Sequence, residues 1–299
     1  MGWVCGNLLK SARTFQENFF PKHQLSLLPA HEVNLMRLLG YQKAKPKHLG
    51  LLLPLAGFLL IIMCWDNTAR FGGWSDHVFP GPLTVLQAMG TMITDGTLIR
   101  HSVASLFRVT AGFYLAIIFG IPLGIMLGRL QSANLFFNPM VQFLRPISPL
   151  AWIPLSMLWF GIGDKPAIFL IFLSSFFPLV VSTTVAVNAI NPVFFQVAAN
   201  FNFNPWETIR HIIIPAIIPD IVTALRISIT IAWLVVVAAE MIAVQSGLGY
   251  LILDSRNALR MDYVMDGMIV IGLIGLALDY LMRRLGRIES TGWAHSQEG

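Results

Sequence analysis

Five charged residues lie in or near the long apolar stretches of this sequence, and they are its best candidates for chemistry: Arg108, Arg145, Arg226, Glu240 and Asp279. An ionisable group at membrane depth is unfavourable, so it usually faces a bundle interior or water and marks the path of an ion or substrate. Glu240 follows Asp220 by about 30 Å of helix and is expected at the outer rim. Arg145 and Arg226 are expected near the inner rim, where long side chains snorkel without any substrate.

Three prolines interrupt the segment that leads into the third apolar stretch. Pro146, Pro149 and Pro154 leave backbone groups without helical partners, which membrane depth tolerates only inside protein or beside a cavity. We therefore place this segment beside a translocation path; a kinked packing helix is the alternative. The candidate path residues are Arg108, Arg145, Ser148, Trp152, Arg226, Trp233 and Glu240. For each of them a structural or interfacial role is the alternative interpretation.

No pattern typical of an enzyme accompanies these residues. The sequence lacks the GxxxxGK[ST] phosphate-binding loop, so we do not expect the chain to bind or split ATP. No His/Cys/carboxylate cluster has the spacing of metal ligands, and no Ser-His-Asp arrangement can be argued. His101 and His211 fall at the edges of apolar stretches and are interpreted as interfacial. We expect no catalytic residue, no metal site and no cofactor on this chain.

The composition indicates an all-α polytopic membrane protein. Of its 299 residues, 56% are hydrophobic and only 12% are charged, with a mean hydropathy of +0.69, which is far from the composition of soluble domains. The two cysteines, Cys5 and Cys64, indicate neither a disulfide framework nor a zinc site. The net charge of +5 is spread out, which favours a membrane topology over nucleic-acid binding. No signal peptide is visible, because the first apolar run begins only near Leu49.

Six membrane spans are predicted, with both termini in the cytoplasm because Lys and Arg concentrate in the segments assigned inside. The spans are about Leu49–Trp65, Ser102–Leu127, Pro146–Phe160, a fourth from the turn Gly161–Lys165 to about Asn188, Ile217–Met241 and Gly267–Leu285. Residues 1–48 form a basic cytoplasmic tail, residues 49–285 the membrane domain and residues 286–299 a second cytoplasmic tail. An amphipathic helix within PGPLTVLQAMGTMI is expected on the outer surface. Glycines at 120, 124 and 128 are expected to allow close helix packing.

A long polar interruption, residues 191–226, separates the fourth and fifth spans. It is predicted to form two short helices with a bend near Asn202. Asn204 is placed as the N-cap, Pro205 as the first helical residue and Glu207 as the third, close to a capping box, and Pro215 is expected to end the helix. On this pattern alone, a docking site and a loop lying on the lipid surface are equally good interpretations.

The same segment resembles the cytoplasmic coupling loop of ABC-transporter permease subunits. Gln196, Val197 and Ala198 stand at the Glu-Ala-Ala positions of that loop, and Asn202 stands at its glycine. Ile212, Ile214 and Pro215 match its closing motif. Asn tolerates the left-handed backbone that a glycine position requires, whereas Gln196 lacks the usual carboxylate. The residues that the resemblance assigns to ATPase coupling, within a loop at 191–215, are Gln196, Ala198, Ala199, Asn202, Asn204, Pro205, Trp206, Glu207, Arg210 and Pro215.

Three further stretches resemble the branch of these permeases that imports nitrate, bicarbonate, sulfonates and taurine: residues 101–130, 143–172 and 224–252. The resemblance implies a type I ABC importer in the bacterial inner membrane, with two permease subunits, here expected as a homodimer. It also implies two cytoplasmic ATPase subunits that carry ATP and Mg, a substrate-binding protein outside, and alternating access. Nitrate is favoured because IAWLVVVAAE resembles nitrate and bicarbonate permeases.

Two other classes of function remain as alternatives. One is a six-helix secondary transporter or channel driven by an ion gradient, against which the absence of acidic residues in the middle of the spans argues. The other is a membrane scaffold that transports nothing. Only the first would keep its uptake after ATP depletion and lose it with an ionophore.

Overall fold

A computed structural model describes the backbone of residues 49–75 and 77–290, and every regular element in these residues is a helix. The predicted tail at residues 1–48 lies outside the described residues, as do residues 291–299 of the second tail. The described residues divide into two units, one that ends at Trp65 and one that starts at Asp66. The helices are α1 (Leu49–Phe71), α2 (Pro82–Thr94), α3 (Thr97–Arg129), α4 (Gln131–Leu144), a 3₁₀ turn (Pro149–Trp152), α5 (Ile153–Phe160), α6 (Asp164–Asn188), α7 (Pro192–Asn200), α8 (Pro205–Thr208), a π-helical turn (Ile209–Ile213), α9 (Ile214–Ala243), α10 (Leu248–Asn257) and α11 (Met261–Ser290).

Four helical stretches of the second unit are long and apolar enough to cross a membrane: Thr97–Arg129, Asp164–Asn188, Pro205–Ala243 and Met261–Arg284. They correspond to the predicted second, fourth, fifth and sixth spans. The first predicted span lies within α1, a helix of 23 residues. The helical class predicted from composition is confirmed for the described residues.

The predicted third span is shorter and more broken than expected. Only the stretch Pro149–Phe160 is helical there, and its first turn is a 3₁₀ turn. Twelve residues of α-helix would extend about 18 Å, well short of the roughly 30 Å of a bilayer core. Between the predicted second and third spans lies the 14-residue helix α4. The prolines explain the difference, because Pro149 and Pro154 each start a new helical segment.

The amphipathic helix predicted after Pro80 is α2. It begins with Pro82 at its first position, where the missing N–H of proline is tolerated. Val85, Ala88 and Met92 are buried at helical spacing and give α2 one apolar face. Met92 joins the largest core cluster, together with residues of α3, α6, α9 and α10.

Close packing of α3 on α6 confirms the predicted role of the glycine series. A Cβ added to Gly124 would lie 2.5 Å from Cβ of Thr183, and one added to Gly128 would lie 2.6 Å from Cβ of Val187. The two backbones approach closely enough for Thr184 Oγ1 to donate to Gly124 O at 3.2 Å. Larger side chains on this face of α3 would force the two helices apart.

The helix directions give the second unit two distinct ends. Gly112 lies against Ile171 and Gly128 against Val187, so α3 and α6 run side by side in the same direction. Ile217, near the start of α9, packs with Val187, so α9 runs back. We call the end that holds residues 128, 187 and 191–217 the loop end. The opposite end, where α3 and α6 begin and α9 finishes, is the network end.

Candidate functional site

The loop end carries the bent helical pair that the sequence predicts. Asn191 caps α7, since its Oδ1 accepts from the Val193 N–H at 3.0 Å. Residues 201–204 make the bend, and α8 starts at Pro205. The Glu207 carboxylate accepts from the Asn204 N–H at 2.7 Å, which is the expected half of a capping box. Short-range hydrogen bonds therefore hold both helices in place.

Asn202 has a φ of +53°, in the left-handed region. The Asn202 N–H donates to Ala199 O at 3.1 Å and the Phe203 N–H donates to Ala198 O at 3.0 Å, closing the end of α7. Asn is one of the few non-glycine residues that adopts this conformation at low cost. The substitution of Asn for the expected glycine therefore leaves the bend intact.

Pro215 does not end the helix, contrary to the prediction. The chain passes from α8 through the π-helical turn into α9 without a break, and Pro215 lies in the first turn of α9. In the π-helical turn the Ile214 N–H donates to Ile209 O, one residue further back than in an α-helix. The wider turn accommodates the missing N–H and the ring of the proline, which would otherwise disrupt an α-helix.

Burial divides the segment into an inner and an outer face. Ala198 is buried, and Ile213 and Ile217 pack with Ala186 and Val187. The Arg129 guanidinium lies 4.1 Å from the centre of the Phe195 ring and ties α7 to the end of α3. The outer face exposes seven large apolar side chains, namely Val193, Phe194, Val197, Phe201, Phe203, Trp206 and Ile214.

The residues that the resemblance assigns to coupling fall mainly on the outer face. The exposed ones are Gln196, Ala199, Asn202, Asn204, Pro205, Trp206 and Arg210. Glu207 and Pro215 are half-buried and Ala198 is buried. Trp206 is 69% exposed, an unusual state for tryptophan in a helix that packs on a core.

The network end instead buries charge. We define the ionic network as Ser105, Arg108, Asp164, Glu240, Ser246 and the backbone of residues 247–249; Asp164 is its exposed member. Arg108 is 2% exposed and Glu240 is fully buried. Arg108 Nη1 donates to Glu240 Oε1 at 2.5 Å and to Ser246 O at 2.8 Å, and Nη2 donates to Ser246 Oγ. On the opposite edge, Nε donates to Asp164 Oδ1 at 2.7 Å.

The second oxygen of Glu240 is equally well occupied. Oε2 accepts from Ser105 Oγ at 2.8 Å and from the Gly249 N–H at 3.0 Å. Ser105 Oγ in turn accepts from the Leu248 N–H at 2.8 Å. A buried ion pair is tolerated when its remaining hydrogen-bonding groups are satisfied, and this network satisfies them.

Two glycines let the 245–250 backbone enter the network. Gly247 has a φ of +102°, and its N–H donates to His101 Nδ1 at 3.0 Å. A Cβ on Gly249 would lie 2.8 Å from the Cβ of Glu240. The loop after α9 is therefore fastened to α3 and, through Arg108, to the first residue of α6.

The other predicted path residues are spread over the unit. Arg226 donates to Asp279 Oδ1 at 2.9 Å, and the buried Trp233 donates from Nε1 to Ile271 O at 3.0 Å. Arg145 and Ser148 are exposed, and the half-buried Trp152 packs against the cluster that contains Ile153 and Ala239. Of the seven residues, the structure brings only Arg108 and Glu240 into contact.

Sequence reasoning did not include His101, Ser105, Asp164 or Ser246 in any site. Ser105 lies one helical turn before Arg108, which places both on one face of α3. Asp164 opens a helix after two glycines, and Ser246 follows the apolar stretch that contains Glu240. Those local signals can be read from the sequence. The pairing of Arg108 with Glu240, 132 residues away, cannot.

Comparisons with known proteins agree with the family that the coupling-loop pattern indicates. Residues 120–289 match the family described as binding-protein-dependent transport system inner membrane component. The taurine transport system permease protein TauC of Escherichia coli (strain K12) is 33% identical over 233 residues, covering 76% of this chain and 85% of that protein. The bicarbonate transport system permease protein CmpB of Synechococcus elongatus is 34% identical over 263 residues, covering 83% and 92%.

The fold is shared with a solved structure of much lower sequence similarity. A chain of an inward-facing MetNI methionine ABC transporter superposes with a TM-score of 0.58 at 15% identity, covering 64% of this chain and 96% of that chain. The family match spans more than half of the residues, and both relatives are aligned over most of their length. This chain therefore belongs to the family of binding-protein-dependent transport system inner membrane components and is a multi-pass permease of the ABC importer type.

Proposed function

We propose that this chain is the membrane-spanning subunit of an ATP-driven importer and that a separate cytoplasmic ATPase subunit binds residues 191–215. The observation that carries the proposal is the outer face of this segment, where seven large apolar side chains are exposed on helices that are fixed by capping hydrogen bonds. An exposed apolar patch on a rigid support is typical of a protein-binding surface. ATP and Mg would belong to the ATPase, and both chain termini would lie in the cytoplasm with this segment.

The loop end is continuous with a membrane-spanning helix, so movement of the loop end would be transmitted into the membrane domain. α8 continues through the π-helical turn into α9, so a displacement of Trp206 would be transmitted along one helical stretch, Pro205–Ala243. Ile213 and Ile217 connect that stretch to α6 through the buried cluster beneath the segment. Nucleotide binding by the ATPase would thus shift the equilibrium between two packings of the spans, which is alternating access.

Two permease copies, two ATPases and an external substrate-binding protein would complete the importer, with a homodimer of this chain as the simplest arrangement. The cavity between the copies would be lined near the broken segment at 146–152. Irregular backbone at membrane depth needs protein or a water-filled cavity around it, and Arg145 and Ser148 are exposed there. We therefore place Arg145, Ser148 and Trp152 closest to the translocation path.

The cargo that we propose is a small anion or zwitterion. The two relatives described above are named for taurine and bicarbonate transport, and nitrate stays the favoured prediction from the sequence pattern in α9. Uptake of labelled nitrate, bicarbonate and taurine, compared between cells with the chain and cells without it, would identify the cargo. Uptake that survives ATP depletion and collapses with an ionophore would contradict the ATP-driven mechanism.

The docking proposal is tested with Trp206→Ala. The amount of ATPase that co-purifies with this variant is expected to fall at least tenfold. An aromatic anchor at an interface often contributes about 2 kcal/mol or more to the binding free energy. Phe143→Ala is the matched control, since Phe143 is an aromatic side chain that is 74% exposed on α4. Equal co-purification of the wild type and Trp206→Ala would contradict the proposal.

A further inference from the structure

A carboxyl group without a partner lies inside the helical unit. Asp266, in the second turn of α11, is fully buried, and neither Oδ1 nor Oδ2 has a hydrogen-bond partner among the described residues. A buried carboxylate is normally paired or hydrogen-bonded, because loss of hydration is otherwise uncompensated. Glu240 obeys that rule in the same unit and Asp266 does not.

The cation nearest to Asp266 along the chain, Arg260, six residues earlier, is already paired. Arg260 donates from Nε to Asp262 Oδ1 at 3.1 Å and from Nη2 to Asp262 Oδ2 at 2.8 Å. These hydrogen bonds raise the pKa of Arg260, so its guanidinium stays charged and committed to Asp262. The guanidinium also lies 3.9 Å from the centre of the Tyr263 ring, which holds it over the start of α11.

The elements packed against α11 supply no other cation to Asp266. These elements are α2, α9 and α10. Helix α2 has no ionisable residue along its length. On α10, Asp254 and Arg256 are exposed and Tyr250 stacks on His101. On α9, Asp220 is exposed, Arg226 pairs with Asp279 and Glu240 pairs with Arg108. The Asp266 side chain is therefore either an unpaired carboxylate or a protonated, neutral carboxylic acid.

Close packing argues against a metal cation at this position. A Cβ added to Gly267 would lie 2.8 Å from Ile252 Cγ1, so α10 and α11 touch at the neighbouring residue. Tyr263 and Val270, on the same face of α11, pack against the main apolar core. Calcium and magnesium each need about six oxygen ligands, whereas Asp266 offers two in apolar surroundings.

We propose that Asp266 is a proton-binding site, in which the folded chain holds the carboxyl group as a neutral acid in the part of α11 that packs on α10. The bound proton removes the need for a counter-ion. Separation of α11 from α10 or α2 that admits water would release that proton, so its release would report an opening at this seam. The inference is independent of the proposed ATPase contact.

Infrared spectroscopy of the full chain in lipid nanodiscs at neutral pH tests the proposal. The wild type is expected to show a C=O stretching band of a protonated carboxylic acid that Asp266→Asn lacks. Asp254→Asn, which alters an exposed carboxylate on α10, is expected to keep the band. Absence of the band from the wild type would overturn the proposal, as would an equally strong band in a folded Asp266→Asn protein.

Labelling of the unmodified chain with dicyclohexylcarbodiimide gives a second measurement that needs no variant. The O–H of a neutral acid adds across one C=N bond of this apolar reagent, so that the oxygen bonds to the central carbon and the proton moves to nitrogen. Peptide mass spectrometry is expected to find the adduct, or its N-acylurea rearrangement product, on Asp266 in at least tenfold excess over Asp254. Labelling of Asp254 in preference to Asp266, or protection of Asp266 by added sodium or potassium ions, would overturn the proposal.

Discussion

The two ends of the helical unit differ in what they bury and what they expose. The network end buries an arginine and a glutamate and gives each of their hydrogen-bonding groups a partner from α3, α6, α9, α10 or the loop between α9 and α10. The loop end leaves large apolar side chains in the open, on helices that are fixed by short-range caps. The first arrangement satisfies its polar groups within the chain, whereas the second leaves an apolar surface that the proposed ATPase contact would cover.

This contrast implies different roles for the residues at the two ends. The guanidinium of Arg108 joins α3 to three other parts of the chain, namely α6, α9 and the loop after α9, so its role as described is to position helices. Trp206 makes no comparable contribution to the core and is available to a partner. Substitutions at the network end should therefore reduce stability, and substitutions at the loop end should reduce binding of the ATPase.

The largest effect is expected from Glu240→Ala. Removal of one member of a buried ion pair leaves the other charge uncompensated and costs about 3–5 kcal/mol. Thermal unfolding of the purified chain in detergent measures the loss. The double variant Arg108→Met with Glu240→Leu should regain much of it, because both charges are then absent. A single variant as stable as the wild type would show that the network is not a structural element.

The next effect is expected from Gly124→Ala. The new methyl group would meet Thr183 Cβ at 2.5 Å and Val180 O at 2.9 Å, so α3 and α6 must shift, at a cost of about 1–3 kcal/mol. Gly90→Ala in α2 is the matched control, because nothing lies within 4 Å of its added Cβ. The control should be neutral or gain up to about 1 kcal/mol in unfolding free energy. Equal unfolding temperatures for the two variants would contradict the close approach of α3 and α6.

A smaller effect is expected from Asp279→Asn. Asp279 pairs with Arg226 at 2.9 Å and with Arg283 at 2.7 Å, but all three side chains are partly exposed. Ion pairs that water reaches contribute about 0–1 kcal/mol each. The unfolding free energy should fall much less than for Glu240→Ala and should fall less in high salt, where such pairs are screened. A loss as large as that of Glu240→Ala would mean that this pair is shielded from water.

The smallest effect on stability is expected from Trp206→Ala. An exposed side chain away from the core changes the unfolding free energy by about 0.5 kcal/mol or less. The same variant should lose most of the stimulation of the ATPase by this chain, since its anchor on the partner is gone. Unfolding and ATPase assays on one preparation separate the two effects, and a parallel fall in both would place Trp206 in the fold instead of the interface.

Local signals explain which parts of this structure could be predicted. The caps at Asn191 and Glu207 act within three residues, and the glycine series at 120, 124 and 128 recurs with the helical period, so both were visible in the sequence. The continuation of the helix through Pro215 could not be predicted from the sequence, because it depends on a single π-helical turn. A proline pattern likewise predicted a broken third span but not how short its helices are.

Contacts between distant positions were beyond sequence reasoning. Arg108 and Glu240 were each recognised as unusual charges, but no periodicity links positions 108 and 240 to one another or to residues 246–249. Asp266 was not singled out, because one carboxylate near the start of a helix is ordinary until its burial is known. The packing of the helices decides both cases.

Hydrogen exchange of the backbone amides, measured with and without the ATPase subunit, tests the central claim most directly. The amides of residues 193–208 should exchange more slowly in the complex, because the partner covers the outer face of the loop end. The amides of residues 247–251 at the network end should keep the same rate. Unchanged exchange at 193–208, or protection that appears only at 247–251, would contradict the account.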